Sequence, residues 1–298
     1  METITKPKII HQQFTEELDD WDLVIEPKAG WLNLNLSEVW RYRDLLVLFV
    51  KRDFAAQYKQ TVLGPIWHLV QPALTTALFL LVFGHYARIP TDGVPPVLFY
   101  LSGITLWNYF AACFTTTAST FTANAGIFGK VYFPRLVLPL SVVASNMVRL
   151  GIQLVLLIVC LLYFIFFEGL SLEPGLRWLL VPVLVLIMAG LGLGLGIIIS
   201  SLTTKYRDFG VLIGFGMQLL MYATPVVYPL SFLKNKSFAG IVEWNPLSPV
   251  LEGFRYAVFN TGEVGIESVV YSLVFTFLVL FIGAIIFNKV ERTFMDTV

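Results

Sequence analysis

Residues 124–135, NAGIFGKVYFPR, bring the chain closest to nucleotide chemistry. A phosphate-binding loop needs G-x-x-x-x-G-K-[ST], in which backbone N–H groups cradle the phosphates and the hydroxyl holds magnesium. Gly129 and Lys130 fit, but Asn124 replaces the first glycine and Val131 the hydroxyl. This segment is therefore expected to bind no nucleotide itself. A second run, GLGLGLG at 190–196, mimics a dinucleotide fingerprint but lies inside an apolar tract, without the strand–turn–helix setting such a fingerprint needs. Its pairs Gly190/Gly194 and Gly192/Gly196 read instead as G-x-x-x-G contacts between packed helices.

The other reactive side chains exclude more than they suggest. His11, His68 and His85 lack metal-ligand spacing, and Cys113 and Cys160 fall in apolar tracts, so neither a zinc site nor a disulfide framework is predicted. No Asp or Glu lies within the apolar tracts apart from Glu168 and Glu267 at their ends. Proton-driven transport needs such groups inside the membrane, so the energy for any transport is expected from another subunit. Glu243, Glu252 and Glu263 lie between the last two tracts and could serve as acid or base in an integral membrane glycosyl or acyl transferase. They lack a partner constellation, which leaves that reading as a minor alternative.

Two features inside the tracts could touch a ligand. Arg149, in SNMVRLGIQ, either snorkels to the inner interface or contacts an anionic lipid phosphate. Tyr100, Trp107, Phe114 and Phe121 recur every seven residues, a spacing that drifts only ~20° per step around a helix. Beside Asn108, this aromatic stripe either packs against other helices or lipid, or presents rings and polar groups to a sugar polymer.

The elements that must position these residues are set by composition. With 57% hydrophobic and 13% charged residues and a mean hydropathy of +0.76, the 298-residue chain reads as an all-α integral membrane protein. Its zero net charge gives no sign of a nucleic-acid partner. An apolar helix of ~20 residues crosses a ~30 Å hydrocarbon core, and six tracts qualify: about 66–86, 96–122, 140–167, 178–201, 210–229 and 265–288.

Residues 1–36 form an acidic arm, and no cleaved signal is predicted at this end. Residues 37–64 read as an amphipathic interface helix with Tyr42, Leu45, Leu46 and Phe49 on one side, and 65–298 as the transmembrane domain. Eight Lys and Arg precede the first tract, and two each follow the second, fourth and sixth, against five on the opposite side. This asymmetry places both termini in the cytoplasm and the 123–139 loop on the inner side. The segment 230–262, too apolar for a loop and too broken to cross, is expected to form short re-entrant helices, the second over 249–260.

Three motifs in order carry a family resemblance over residues 37–298. QYKQTVLGPIWHLVQP (57–72), NAGIFGKVYFPRLVLPLS (124–141) and WNPLSPVLEGFR (244–255) resemble segments of the membrane subunit of polysaccharide-exporting ABC transporters. The resemblance implies a non-catalytic permease in the bacterial inner membrane. It would act as a homodimer with two copies of a cytoplasmic ATPase subunit, which bind ATP and magnesium, and it would export an O-antigen-like, lipid-linked glycan. A permease for a small lipid or drug is the alternative within the same class. The resemblance assigns Gly129, Lys130, Tyr132, Phe133, Pro134 and Arg135 to ATPase coupling, and Tyr58, Lys59, Gly64 and Trp67 to the interface segment. The substrate path it implies would be drawn from Tyr100, Trp107, Asn108, Phe114, Phe121 and Arg149.

Overall fold

A computed structural model describes residues 36–59, 61–128, 133–172, 175–203, 208–233, 239–262 and 264–294. Residues 1–35 of the acidic arm, together with Gly129, Lys130, Tyr132 and Glu263, lie outside them. Among the described residues every regular element is helical.

The chain begins with α1 (Leu36–Arg41) and α2 (Arg43–Tyr58). The expected interface helix is thus shorter than 37–64 and broken near Tyr42. Phe49 is buried, with Tyr42, Leu45 and Leu46 packed around it, which realises the expected stripe. Gly64 adopts φ +52°, a left-handed conformation that glycine tolerates without a Cβ clash, and there the chain turns into the first long helix. That helix is α3 (Trp67–Phe79), entered by a 3₁₀ turn and extended by a π-helical stretch, Leu80–Tyr86.

There follow α4 (Pro96–Ala118), α5 (Val137–Phe167), α6 (Leu180–Thr203), α7 (Phe209–Tyr222), α8 (Ser248–Phe259) and α9 (Ile266–Phe294). Five stretches are long and apolar enough to cross a membrane: Gly64–Tyr86, Pro96–Ala118, Val137–Phe167, Leu176–Thr203 and Ile266–Lys289. The helices α4 and α6 form the centre, with 72% and 67% of their apolar windows buried, against 17–22% for the other three. Those three leave broad apolar faces outward, as a lipid-solvated bundle requires.

Of the expected fifth span, 210–229, only Phe209–Tyr222 is helical. Its helix α7 has 14 residues. At 1.5 Å per residue it reaches only about 21 Å, short of a ~30 Å core. The apolar run continues to Tyr228, but Pro225 cannot extend a helix. The backbone carbonyls released there are taken up by side chains: Asn245 Nδ2 donates to the Ala223 carbonyl at 3.0 Å, and Arg255 to those of Pro225 and Val226.

The glycine run explains how closely the centre is packed. A Cβ at Gly192 would lie 2.7 Å from Cys113 Cβ and one at Gly196 2.6 Å from Thr117 Cβ, both on α4. At Gly190 it would meet Thr276 Cγ2 at 2.5 Å and at Gly194 Val279 Cγ1 at 2.9 Å, both on α9. The two interleaved G-x-x-x-G pairs therefore seat α6 against two different helices at once.

Candidate functional site

Polar and aromatic side chains concentrate at three levels of this bundle. At the first, α2 meets the segment that starts at Phe133. Phe133 is 5% exposed, and its ring centroid stands 5.7 Å from that of Phe49. Arg52 lies over the Phe49 ring at 4.7 Å, a cation–π contact. Arg135 and Pro134 are also buried. Of the six expected coupling residues, the three that are described thus anchor the loop to the bundle rather than stand free of it. Lys59 is exposed and Trp67 half-exposed at the turn that follows α2.

At the second level, α3, α4 and α5 enclose a polar cavity of about 250 Å³, lined by Gln57, His68, Gln71, Asn108, Arg149 and Gln153 among others. Arg149 Nη1 donates to Asn146 Oδ1 at 2.9 Å. Tyr58 stands edge-on to His68, centroids 5.6 Å apart. Burial pushes the Tyr58 phenol above its usual range, and the positive Arg149 nearby pulls it back. Asn146 and Arg149 also line a neighbouring cavity of about 220 Å³, which opens toward Arg52 and Asp53.

The aromatic stripe is placed inside the bundle. Tyr100 and Phe121 are fully buried and Trp107 is 6% exposed. Tyr100 meets Phe79 and Phe99 edge-on, Phe121 stacks on Phe287 at 4.9 Å, and Phe114 stacks on Phe110. Of the expected path residues, Asn108 and Arg149 line the second-level cavity, and the four rings line neither it nor its neighbour.

The third level, at the opposite end of the bundle, holds an ion pair with no counterpart in the expected site. Arg255 Nη1 lies 3.1 Å from Glu252 Oε1, and both residues are buried. The guanidinium donates to the Pro225 carbonyl at 2.7 Å and the Val226 carbonyl at 2.9 Å, and covers the Phe99 ring at 3.7 Å. Glu252 Oε1 accepts the Leu230 N–H at 3.3 Å. Burial pushes the Glu252 carboxyl above the usual carboxylate range, opposed by Arg255 and by that N–H. Gly103 faces this cluster, and a Cβ there would lie 2.9 Å from Arg255 Nη2. Because Gly103 is the eighth residue of α4, the clamp sits about 10 Å below that helix's start. A carboxylate held so cannot take or give protons to a substrate, which removes Glu252 from the transferase alternative.

The spacing of Asn146, Arg149 and Gln153 at i, i+3 and i+7 is the signal that marks the α5 face of the second-level cavity. Likewise Glu252 and Arg255, three apart on one helix, announce their pairing. Among the described residues, no three His, Cys, Asp or Glu side chains come together as a metal site would require.

A helical bundle with a twinned-glycine core and five stretches long and apolar enough to cross a membrane defines a multi-pass membrane protein. Residues 44–259 match the ABC-2 type transporter family, and the chain belongs to that family. Its relatives narrow the class. The O-antigen export system permease protein RfbA of Klebsiella pneumoniae is 30% identical over 85% of this chain and 94% of its own length. RfbA of Myxococcus xanthus is 26% identical over 88% and 98%. The polysialic acid transport protein KpsM of Escherichia coli is 21% identical over 83% and 93%.

Proposed function

We propose that this chain is the permease of an ABC exporter that moves a lipid-linked, O-antigen-like polysaccharide from the cytoplasm to the outer face of the bacterial inner membrane. Two copies form the path, each carrying one cytoplasmic ATPase subunit that binds ATP and magnesium. Both termini are cytoplasmic, and α7 with the turn after it completes a sixth crossing. The segment around α8 re-enters from the outer side.

The observation that carries this reading is the match to O-antigen export permeases over more than nine-tenths of their length, in a chain whose only near phosphate loop is degraded. The 123–139 loop is the coupling element. Gly129, Lys130 and Tyr132 meet the ATPase, while Phe133 holds the loop on α2 beside the buried Pro134 and Arg135, so that a push on the loop moves the interface helix. In that arrangement Tyr58, Lys59, Gly64 and Trp67 form the hinge between the interface helix and the first span.

The test is co-expression with the partner ATPase subunit, followed by glycan export from inverted vesicles and ATP hydrolysis by the purified complex. Phe133→Asp is expected to abolish export and the glycan-dependent part of hydrolysis, and Phe133→Leu to retain both. Full coupling in Phe133→Asp refutes the assignment of the loop. Export of a small lipid or drug with no glycan export moves the chain to the alternative substrate class.

A further inference from the structure

Arg149 is a formal charge in a helix that is otherwise apolar over most of its length. It stands 18 residues before Phe167, the end of α5, so about 27 Å of helix separates it from that end. A hydrocarbon core of ~30 Å measured from there puts Arg149 at the opposite boundary, where lipid phosphates lie.

Its surroundings are built for an acceptor-rich ligand. No carboxylate lies within ion-pair distance of it among the described residues, and Asp53 in the adjoining cavity is held by Arg52 at 2.8 Å. One Arg149 nitrogen is used by Asn146, which leaves the rest of a five-donor fork toward the cavity. Two buried polar atoms of its lining, His68 Nε2 and Gln153 Oε1, lack any hydrogen-bond partner, as does Tyr58 Oη, whose ring stands edge-on to His68. A phenol, an imidazole and an amide whose oxygen and nitrogen interchange by a flip can all donate. Orphaned buried polar atoms cost stability, so a cavity with such atoms in its wall beside an arginine calls for a ligand that satisfies them. A volume of about 250 Å³ accommodates a phosphate or diphosphate, not a sugar chain.

We propose that this cavity binds the phosphate of an anionic lipid, and that in the working exporter this is the phosphate joining the glycan to its lipid carrier. The site then recognises the one part that every polymer on that carrier shares, while the polymer itself passes elsewhere. This inference rests on the exporter reading for the identity of the lipid, but not for the phosphate chemistry.

The experiment uses the complete permease–ATPase complex in phosphatidylcholine nanodiscs, titrated with a fluorescent polyprenyl diphosphate bearing one sugar. Competitors are phosphatidylglycerol and inorganic diphosphate. Arg149→Gln is expected to weaken probe binding at least tenfold, Arg149→Lys less, and Gln153→Leu severalfold. Because Gln153→Leu preserves side-chain volume, it tests the cavity even if Arg149→Gln assembles poorly. Inorganic diphosphate should displace the probe only at much higher concentration. Displacement by phosphatidylglycerol at parity with the probe assigns the cavity to bulk headgroups and overturns the carrier assignment. Unchanged affinity in both Arg149→Gln and Gln153→Leu overturns the site. Those variants exporting glycan at the wild-type rate would sink the site and leave the exporter reading standing. A wild-type complex that moves no glycan sinks the exporter reading instead.

Discussion

Replacing Arg255 with methionine keeps most of its length but removes three hydrogen bonds: to Pro225 O, Val226 O and Glu252 Oε1, at 2.7, 2.9 and 3.1 Å. Two carbonyls and a carboxylate then stay buried without their donor. Breaking a buried ion pair by removing one partner costs on the order of 3–5 kcal/mol. Each kcal/mol lowers Tm by roughly 2–4 °C in a domain of 150–250 residues, so Arg255→Met should melt at least about 6 °C below wild type. Scanning fluorimetry in detergent measures this. Glu252→Gln keeps an acceptor for Arg255 and should cost less, and the double variant should cost less than the sum of the two.

The pH dependence has a definite sign. A carboxyl whose folded pKa is raised stabilises most below its unfolded pKa, and that contribution is lost as pH rises through the folded value. Without Arg255 the Glu252 carboxyl rises further, so the gap between variant and wild type should narrow on acidification. A drop smaller than about 2 °C, or a gap that widens toward low pH, would refute the account of α8 as clamped by charge.

The glycine core predicts that Gly196→Leu, whose Cβ alone would meet Thr117 Cβ at 2.6 Å, prises α6 from α4. Overpacking costs about 1–3 kcal/mol or more, read as a lowered Tm and loss of ATPase co-purification. At the end of α8, Asn260 adopts φ +59° and its side-chain oxygen accepts a hydrogen bond from Arg177. Asn260→Gly should be near neutral in Tm, whereas Asn260→Val should lose about 1–2 kcal/mol, because a β-branched residue is strained in the left-handed region.

Sequence by itself determined the helical class, five of the long apolar crossings and the close contact at each glycine pair. Each rests on local periodicity or on the absence of a side chain, both visible along one strand of text. It also marked Phe49 and its neighbours as one face of α2. Tertiary structure decided the rest. The end of α7 at Tyr222 depends on Asn245 and Arg255, residues more than 20 positions away, which supply hydrogen bonds that the helix itself would otherwise have made. The aromatic stripe could not be assigned from spacing, because the same rings suit a path or a core, and only α3, α6 and α9 packing over them buries Tyr100 and Phe121. Arg149 was legible as an anomaly, but its cavity is made by His68 and Gln71 from α3 and Asn108 from α4. A charge in an apolar helix shows in the sequence; whether it faces lipid, protein or a ligand is fixed only where other helices meet it.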